Sequence, residues 1–569
     1  MTNQEVSKVL DDIATMLELV GENPFKCRAY ERASRELENS IENVEDLIET
    51  ERLGDLPGIG KALVEKITEL VTSGRMSYYE ELRDKIPGGL FDMLKIPGFG
   101  PKKAYAVYRD MDITTLDDLE SAAQSGRLSG ISGFGKKTEE RILAGIQSLK
   151  ERVGLHRLGD VLPCAEMIVD QLRACPAVRR ISYAGSLRRM KEVVKDIDIL
   201  VSSDDSDTVM DAFTRIEFVR ETVVRGTTKT SVALDSGINC DLRVVANQSF
   251  PAAMQYFTGS KDHNVHLRSI ARDLGCKVNE YGVFRGEAVI PCASEQEIYE
   301  SLNLKYIPPE LREDTGEIGA AANGTLPDFI DTTDILGMLH CHTRWSDGSN
   351  SVAEMAEAAR KRGYRYLAIC DHSQSSHVAN GLSADRVREQ WEEIETVNRS
   401  MEDFVVLKGI EVDIKNDGSL DYPDEIMEQF DIVVGSVHQN LHMPSAQMTE
   451  RLVSALSHPH LDILGHPTNR LILSREPSRF DMDAIIETAA QHGKVLELNG
   501  HPWRLDLNWL HCKRAARRGV KIAITTDAHS TADMDLLRYG VGTARRGWLT
   551  KGDVVNSLNA DEFRSLFSL

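Results

Sequence analysis

Histidine and carboxylate residues recur at the ends of apolar segments in the C-terminal part of the chain. Thirteen of the 16 histidines follow residue 338, where seven strand-like runs alternate mostly with helical patterns. In a strand, residues i and i+2 share a face, so His340 and His342 point to one side, and Asp527 and His529 repeat this spacing. The candidate ligands are His340, His342, Asp347, His372, Glu411, His438, His466, Asp527 and His529. Because one ion rarely takes more than about six ligands, the pattern predicts a centre with several divalent metals.

Apolar strands that alternate with helices predict a parallel α/β barrel for residues 334–569. In such barrels the active site lies at the C-terminal ends of the strands, where the candidate ligands stand. Imidazole-rich sites accept Zn²⁺, Mn²⁺ or Fe²⁺. Cys341 faces away from its two histidine neighbours and is interpreted as packing, while Asp413 is either a support for a ligand or a cap. Arg470 and Arg504 are candidate phosphate clamps or, alternatively, structural ion pairs.

A second group of carboxylates lies in the middle of the chain. Asp196 and Asp198 share one face of a predicted strand, and a later strand, GINCDLRVV, supplies Asp241. Like charges on one face repel each other, and divalent cations would remove this cost. Three carboxylates on neighbouring strands predict a site for two Mg²⁺ or Mn²⁺ ions that supports nucleotidyl transfer. An exposed strand edge with solvated aspartates is the alternative.

Three glycine turns near the N-terminus have the same pattern. The segments are LPGIGKALVEKI (56–67), IPGFGPKKAYAVY (96–108) and ISGFGKKTEERIL (131–143), with glycines at Gly58, Gly60, Gly98, Gly100, Gly133 and Gly135. Each turn opens a helix, whose free N–H groups and dipole favour phosphate. These segments resemble helix-hairpin-helix motifs, so the repeat predicts contact with the DNA backbone.

Length and composition indicate a multidomain protein of the cytoplasm. A chain of 569 residues exceeds one hydrophobic core and predicts three or four domains. The sequence shows no apolar run that could span a bilayer, and its nine cysteines form no C-x-x-C pair. The net charge of −22 argues against nucleic acid as a partner, but backbone amides bind phosphate without side-chain charge.

The segment GSLRR (185–189), followed by Asp-Ile-Asp, resembles the family X DNA polymerases of the DNA polymerase beta type. The run YFTGSKDHNVHLR (256–268) resembles that family's Tyr-Phe-x-Gly-Ser…Asn…Arg segment. The resemblance implies two metal ions on the three aspartates and dNTPs as substrates. The nucleotide-binding residues that it implies are Gly185, Ser186, Arg189, Tyr256, Phe257, Gly259, Asn264 and Arg268. Asn239 departs from the pattern because the beta enzyme has an arginine there.

The first 80 residues resemble the family's small DNA-binding domain. In polymerase beta, a lysine of that domain forms a Schiff base with an abasic sugar, and its position corresponds to Lys66 here. Amine catalysis of this kind requires a depressed pKa. Lys66 is therefore a candidate lyase nucleophile, and a solvated helix residue is the alternative.

The C-terminal region resembles the polymerase and histidinol phosphatase (PHP) family, a distorted seven-stranded barrel with a three-metal centre. By this resemblance, His340, His342, Glu411 and Asp527 hold one metal. His438 and His466 share Glu411 at the second, and Asp347, His372 and His529 hold the third. Both resemblances together match the bacterial and archaeal type of family X polymerase, which carries such a barrel.

These observations predict a multidomain chain with α+β and α/β parts. The expected domains are a lyase-like domain (1–80), a helix-hairpin-helix domain (81–150), a nucleotidyltransferase palm (151–245), a nucleotide-binding thumb subdomain (246–315), a linker (316–333) and a (β/α)₇ PHP barrel (334–569).

The expected function is DNA repair, in which the polymerase core fills short gaps on primer-template DNA. The barrel is expected to act as a 3′→5′ exonuclease, with incision at abasic sites as a further activity. A monomer is expected. The alternatives are a barrel that hydrolyses small phosphomonoesters and a non-catalytic scaffold that binds DNA ends.

Overall fold

The computed structural model describes all residues except 2, 39, 41, 42, 97, 132, 568 and 569. Pro97 and Ser132, which belong to the second and third glycine turns, therefore lie outside the described residues. The chain divides into two compact units, residues 1–153 and 154–569. Among the described residues, no helix has the length and apolar character needed to cross a membrane.

The first unit is helical. Its helices are α1 (Asn3–Leu19), α2 (Pro24–Glu38), α3 (Val44–Glu49), α4 (Lys61–Ser73), α5 (Ser77–Asp84), α6 (Gly88–Leu94), α7 (Pro101–Met111), α8 (Leu116–Gln124) and α9 (Lys136–Arg152). The apolar residue between the two glycines of each turn, Ile59, Phe99 or Phe134, is buried in the core of this unit. The turns are thus anchored by one side chain each, while the glycines stay at the surface of the helix starts.

A mixed five-stranded sheet opens the second unit. The elements are β1 (His156–Arg157), α10 (Leu158–Arg173), β2 (Arg180–Tyr183), α11 (Gly185–Arg188), β3 (Val193–Val194), β4 (Asp196–Ser202), α12 (Ser206–Thr214), β5 (Val219–Arg225), β6 (Lys229–Leu234) and β7 (Asn239–Val245). The strand order is β2-β4-β7-β6-β5, and only β4 and β7 run parallel, while β1 and β3 form a separate antiparallel pair. Alternation along β7 buries Cys240, Leu242 and Val244 and turns Asp241 to the other face.

A smaller α+β subdomain follows. It contains α13 (Phe250–Thr258), α14 (Lys261–Asp273), β8 (Lys277–Asn279), β9 (Gly282–Arg285), β10 (Ala288–Ile290), α15 (Glu295–Ser301) and α16 (Glu317–Asn323). Its three strands form an antiparallel sheet. His263 is fully buried and bridges Glu317, at 2.7 Å, and the hydroxyl of Tyr299, at 2.9 Å. Hydrogen bonds satisfy both ring nitrogens, which makes this histidine a packing residue.

The C-terminal region is a parallel barrel, which confirms the predicted architecture. Its strands are β11 (Gly337–Cys341), β12 (Tyr366–Ile369), β13 (Val405–Asp413), β14 (Ile432–Ser436), β15 (Ile463–Leu464), β16 (Val495–Asn499) and β17 (Ile522–Thr525), in sequence order. The helices are α17 (Val352–Lys361), α18 (Ala384–Ser400), α19 (Asp424–Met427), α20 (Ser445–Leu456), α21 (Met482–His492), α22 (Trp509–Arg517), α23 (Leu537–Arg546) and α24 (Ala560–Phe567).

The last strand returns to the first and nearly closes this barrel. A parallel bridge joins Cys341 to Ala528, and the N–H of His342 donates to the carbonyl of Ala528 at 2.8 Å. The strands are almost entirely buried, as expected for a parallel sheet covered by helices. This closure brings the ends of β11 and β17 together, although their residues are far apart in the sequence.

Candidate active sites

Glu411, near the end of β13, lies at the centre of the nine candidate ligands and is 1% exposed. Its Oε1 lies 3.0 Å from Nε2 of His466, 3.2 Å from Nε2 of His438 and 3.3 Å from Nε2 of His340. Its Oε2 lies 2.8 Å from Nδ1 of His372. One carboxylate therefore faces four imidazoles from four different strand ends.

Asp347 forms a second focus on the same side of the barrel. Its Oδ1 lies 3.4 Å from Nε2 of His529 and 3.7 Å from Nδ1 of His342. Its Oδ2 lies 3.4 Å from Nε2 of His372. The rings of His342 and His529 stack with centroids 4.2 Å apart. The loop after β11 thus carries its carboxylate to the ligands at the ends of β11, β12 and β17.

Asp527 completes the group from the end of the last strand. Its Oδ1 lies 3.1 Å from Nε2 of His342 and 3.6 Å from Nε2 of His340. His340, His466 and Asp527 all have positive φ, at 56°, 24° and 54°. Such backbone conformations are strained in residues with a side chain, and strain of this kind clusters at functional sites.

The donor set fits divalent metals. Four overlapping groups bring three or four ligand atoms within 4.8 Å of one another. Nε2 of His340, Nδ1 of His342, Nδ1 of His372 and Oε2 of Glu411 are buried and make no hydrogen bond of suitable geometry within the described residues, although the last two atoms lie 2.8 Å apart. Burial opposes the protonated form of His372, yet the carboxylates of Glu411 and Asp347 raise its pKa to about 11. Cations bound among these carboxylates would take over the charge compensation that protonated histidines provide here.

Glu497, on β16, supports the ligands and was missed by sequence reasoning. Its Oε1 lies 2.5 Å from Nδ1 of His340 and accepts the hydroxyl of Thr525 at 2.7 Å. Its Oε2 accepts the backbone N–H of His466. The sequence carried one signal for this residue. Glu497 stands two positions before Asn499 in the apolar strand KVLELNG, so both side chains face the same side of the strand.

Two further buried carboxylates hold the site in place. Oδ1 of Asp413 lies 2.7 Å from Nδ1 of His438, so Asp413 supports a candidate ligand. Asp371, also missed, accepts the N–H and the hydroxyl of Thr343, at 2.7 and 2.6 Å, and the amide of Gln390. These bonds fix the loop that leads to Asp347.

The two arginines that follow strands have different environments. Arg470 pairs with Glu192 at 2.7 and 3.0 Å, so it is a structural ion pair rather than a free phosphate clamp. Nε of Arg504 lies 3.6 Å from Oδ2 of Asp527. Arg504 and the half-exposed Trp503 line a cleft of about 260 Å³ that reaches Asp527 and His529. This cleft adjoins the candidate metal ligands Asp527 and His529.

The middle aspartates occupy one face of β4 and β7. Asp198 and Asp241 are direct neighbours in the parallel register, and Asp196 precedes Asp198 by two residues. Burial and the carboxylates of Asp196 and Asp241 raise the pKa of Asp198 to about 6. Divalent cations would stabilise this crowded group, so the residues fit the predicted metal site.

Lys229 provides a cation that sequence reasoning did not identify. Asn239, which replaces the expected arginine, is exposed and lies opposite Asp196. Nζ of Lys229, on β6, lies 2.5 Å from Oδ2 of Asp241, whose Oδ1 accepts the hydroxyl of Ser231. A lysine on the neighbouring strand therefore supports the third carboxylate where the arginine is absent.

The turn Gly185-Ser186 approaches these aspartates closely. Gly185 has a φ of 62°, and a Cβ there would lie 2.3 Å from Oδ2 of Asp198. Only glycine fits this position, and the partly exposed Ser186 follows it directly.

The two arginines of this turn are held by protein groups. Arg189 is 9% exposed, donates to the carbonyl of Thr258 and lies 3.0 Å from Oε1 of Glu313. Arg188 pairs with Glu295 at 2.5 Å and donates to Oγ1 of Thr258 at 2.6 Å. In this structure both guanidinium groups connect the sheet to the following subdomain.

The Tyr-Phe segment lies at the end of α13. The rings of Tyr256 and Phe257 meet edge to face, with centroids 5.2 Å apart. Nδ2 of Asn264 donates to the carbonyl of Tyr256 at 2.7 Å, and Oδ1 accepts the amide of Gln255 at 2.7 Å. Nε of Arg268 donates to the carbonyl of Asn264 at 3.2 Å. Asn264 thus braces the backbone under Tyr256.

Gly259 follows this segment and stands against Arg189. It has a φ of 71°, and a Cβ there would lie 3.0 Å from Nη1 of that arginine.

The glycines of the three turns adopt similar backbone conformations. The first glycine of each, Gly58, Gly98 or Gly133, has a φ of 90°, 73° or 89°. The second glycine is in each case the N-terminal cap of a helix and makes no side-chain cap bond; these caps are Gly60 before α4, Gly100 before α7 and Gly135 before α9. The first backbone amides of each helix therefore receive no hydrogen bond from a side chain of the cap residue.

Lys66 lies between two tyrosines of the first unit. Its Nζ lies 3.0 Å from the hydroxyl of Tyr30 and 4.2 Å from the ring centroid of Tyr78. Burial raises the pKa of Tyr30 to about 12, so its hydroxyl stays protonated. The amine is partly buried, and it is not the fully solvated residue of the alternative interpretation.

Family models match four parts of the chain. They are a helix-hairpin-helix domain (1–76), a SAM-like helix-hairpin-helix tandem (91–148), a DNA polymerase beta thumb (253–313) and a PHP domain (338–501).

Curated relatives match nearly the whole chain or about a third of it. The chain is 38% identical over 98% of both lengths to a protein of Bacillus subtilis (strain 168) named DNA polymerase/3′-5′ exonuclease PolX. The chain is also 28% identical over 229 residues to a probable phosphatase of Thermoanaerobacter sp. (strain X514), a match that covers 38% of this chain and 89% of that protein. A probable phosphatase of Caldicellulosiruptor saccharolyticus is 28% identical over 34% of this chain and 80% of its own length.

Proposed function

The chain belongs to the PolX family of DNA polymerase/3′-5′ exonucleases, and from this premise we propose that it is a DNA repair enzyme with two active sites. The palm fills short gaps with dNTPs, and the barrel removes nucleotides from 3′ ends. The observation that carries the proposal is that one chain holds both the paired Asp198 and Asp241 and the imidazole cluster around Glu411. A purely structural role would not require two separate groups of potential metal ligands.

In the palm, Asp196, Asp198 and Asp241 hold two Mg²⁺ or Mn²⁺ ions. Such ions stabilise the charge on the attacking and leaving oxygens. Gly185 allows the turn to approach Asp198, and the Ser186 hydroxyl binds the triphosphate. Arg189, which pairs with Glu313, adds positive charge at this turn.

The nucleotide pocket of the palm continues along α13 and α14. Tyr256, Phe257 and Gly259 line the sugar side, and Asn264 keeps this segment in shape through the carbonyl of Tyr256. Arg268 approaches the template from the next turn of α14.

In the barrel, the nine ligands hold up to three divalent ions, of which Zn²⁺, Mn²⁺ and Fe²⁺ suit the imidazole-rich set. Such ions act as Lewis acids toward a phosphodiester. Glu497 and Asp413 orient His340 and His438 through their Nδ1 atoms. The cleft beside Asp527 and His529 receives the terminal nucleotide, with Arg504 toward its phosphate and Trp503 toward its base.

The helical unit grips DNA without reading its sequence. Backbone amides at the starts of α4, α7 and α9 contact phosphates, which offsets the chain's net charge of −22. Gapped or primer-template DNA and dNTPs are the substrates, and the working form is a monomer. The domain boundaries expected from the sequence, at residues 80, 150, 245, 315 and 333, are part of the proposal.

A second function for the barrel has a specific observation in its favour. Relatives that match about a third of this chain are probable phosphatases, and a centre of this kind also hydrolyses small phosphomonoesters. The helix-hairpin-helix motifs in the same chain favour DNA as the substrate. Release of phosphate from a free phosphomonoester, without shortening of DNA, would favour the phosphatase instead.

The test follows the length of a 5′-labelled primer on a gapped template with Mn²⁺, with and without dNTPs. The proteins are wild type, Asp196→Ala/Asp198→Ala and His340→Ala/Glu411→Ala. Asp207→Ala and His492→Ala, each exposed in the same region, are matched controls. We expect the first double variant only to shorten the primer and the second only to lengthen it. A primer that never shortens with any protein would contradict the exonuclease assignment.

A further inference from the structure

The barrel packs directly against the triphosphate turn of the palm. Gly542, on α23, faces Met190, and a Cβ at Gly542 would lie 2.5 Å from Cε of Met190. A glycine at this helix position allows the close approach. Met190 directly follows Arg189, so α23 covers the end of the turn that begins at Gly185.

One barrel residue reaches into this turn. Arg546, at the end of α23, is 5% exposed. Its Nη1 donates to the backbone carbonyl of Arg189 at 2.6 Å and lies 3.1 Å from Oε1 of Glu313. The same Oε1 pairs with Nε of Arg189 at 3.0 Å. The guanidinium of Arg546 also lies over the ring of Trp509, 5.6 Å from its centroid.

The far side of the turn is fixed from the barrel as well. Arg470 pairs with Glu192, two residues beyond Met190, and donates to the carbonyl of Arg504 at 2.9 Å. Barrel side chains thus hold the segment from Arg189 to Glu192 at both ends.

We propose that Arg546 is a positioning residue for nucleotidyl transfer, which fixes Arg189 and Glu313 in the triphosphate pocket of the palm. The inference rests on the proposed polymerase function and deepens it. It assigns to the barrel a structural part of the polymerase site, apart from the barrel's own metal-dependent activity.

The charges of the three groups explain why the position matters. Arg189 and Glu313 alone form a neutral pair with little attraction for a triphosphate. Arg546 adds a second guanidinium to the same carboxylate oxygen and leaves the group with a net charge of about +1. The hydrogen bond to the carbonyl of Arg189 also fixes the turn next to Ser186. Arg546 therefore favours nucleotide binding without touching the nucleotide.

The test compares Arg546→Met, which keeps the packing on Trp509 but donates no hydrogen bond, with Arg546→Lys, which keeps the charge. Arg538→Met is the matched control, because Arg538 also joins the barrel to the palm but does so through Glu166, on α10, at 2.9 Å. Primer extension is measured in the full-length protein as KM for dNTP, KM for primer-template and kcat, together with exonuclease rates. The rise in unfolding temperature caused by Mg²⁺-dATP reports binding without turnover.

We expect Arg546→Met to raise the KM for dNTP about tenfold, as for the loss of a hydrogen bond between charged groups. Arg546→Lys should lie between Arg546→Met and wild type. The KM for primer-template and the exonuclease rate should stay within about twofold of wild type, and Arg538→Met should match wild type. The stabilisation by Mg²⁺-dATP should shrink most in Arg546→Met, less in Arg546→Lys and not in Arg538→Met.

Two results would overturn the inference. One is a KM for dNTP in Arg546→Met equal to that of Arg538→Met. The other is an equal loss of polymerase and exonuclease activity in both Arg546 variants, which would assign Arg546 to general stability. Failure of the wild-type protein to extend any primer would instead contradict the proposed function itself.

Discussion

Oε1 of Glu497 lies 2.5 Å from Nδ1 of His340, so this glutamate fixes the ring whose Nε2 faces Glu411 and Asp527. The two residues come from β16 and β11 and meet only in the closed barrel. A carboxylate that holds a ligand's second nitrogen sets its tautomer and raises its affinity for metal. A metal centre at this site would therefore depend on a residue that lies outside the set of candidate ligands.

Glu497→Gln should lower exonuclease activity and barrel metal content, with little effect on primer extension. Loss of such a support weakens metal affinity by roughly 10–100-fold. Metal content after dialysis against a weak chelator and the exonuclease rate at rising Mn²⁺ are the measurements. Glu487→Gln, on α21, is the control. A Glu497→Gln protein with wild-type metal content would show that the contact is unimportant.

Gly98→Ala should weaken DNA binding. Gly98 has a φ of 73°, and open space surrounds its missing Cβ, so the penalty is purely conformational, about 1–2 kcal/mol. The turn should shift and withdraw the amides at the start of α7. Fluorescence anisotropy with labelled gapped DNA measures the affinity. Gly88→Ala, also in open space but without a positive φ, is the matched control. Equal affinities of the two variants would count against the glycine-turn contact.

Lys66→Ala should abolish covalent trapping of DNA that carries an abasic site in the presence of borohydride. The amine of Lys66 contacts the hydroxyl of Tyr30 and the ring of Tyr78. A Schiff base with the abasic sugar requires an amine nucleophile, which alanine lacks. Trapped complex is measured on a denaturing gel, with the exposed Lys61→Ala from the start of the same helix as control. Undiminished trapping by Lys66→Ala would show that another residue is the nucleophile.

Asp462→Asn should stabilise the protein at alkaline pH. Burial raises the pKa of Asp462 from 3.8 to about 7. The folded state thus binds this proton more tightly than the unfolded state, and its stability falls as the pH rises from about 4 to about 7. Asparagine can still accept the N–H of Val433, which Oδ2 accepts at 2.8 Å.

The gain in unfolding temperature over wild type should therefore be small at pH 4.5 and reach its full size above pH 7. Asp403→Asn, at an exposed position, should show no such trend. If the gain in unfolding temperature for Asp462→Asn stays constant over this pH range, stability is not coupled to the protonation of Asp462.

Much of both sites follows from local sequence patterns. The convergence of the nine candidate ligands of the barrel could be predicted because parallel strands end at one edge of the sheet, so residues at strand ends lie close together. Strand alternation predicts that Asp196 and Asp198 share one face. The repeated glycines predict turns that require a positive φ. The barrel itself follows from buried strands that alternate with helices.

The residues that only the tertiary structure revealed are those whose partners come from distant elements. Glu497 meets His340 because the barrel closes, Lys229 meets Asp241 because β6 pairs with β7, and Arg546 meets Arg189 because α23 packs on the palm. Periodicity reports which way a side chain faces within its own element. It carries no information on which charged group stands opposite, since that depends on how elements far apart in the sequence pack together.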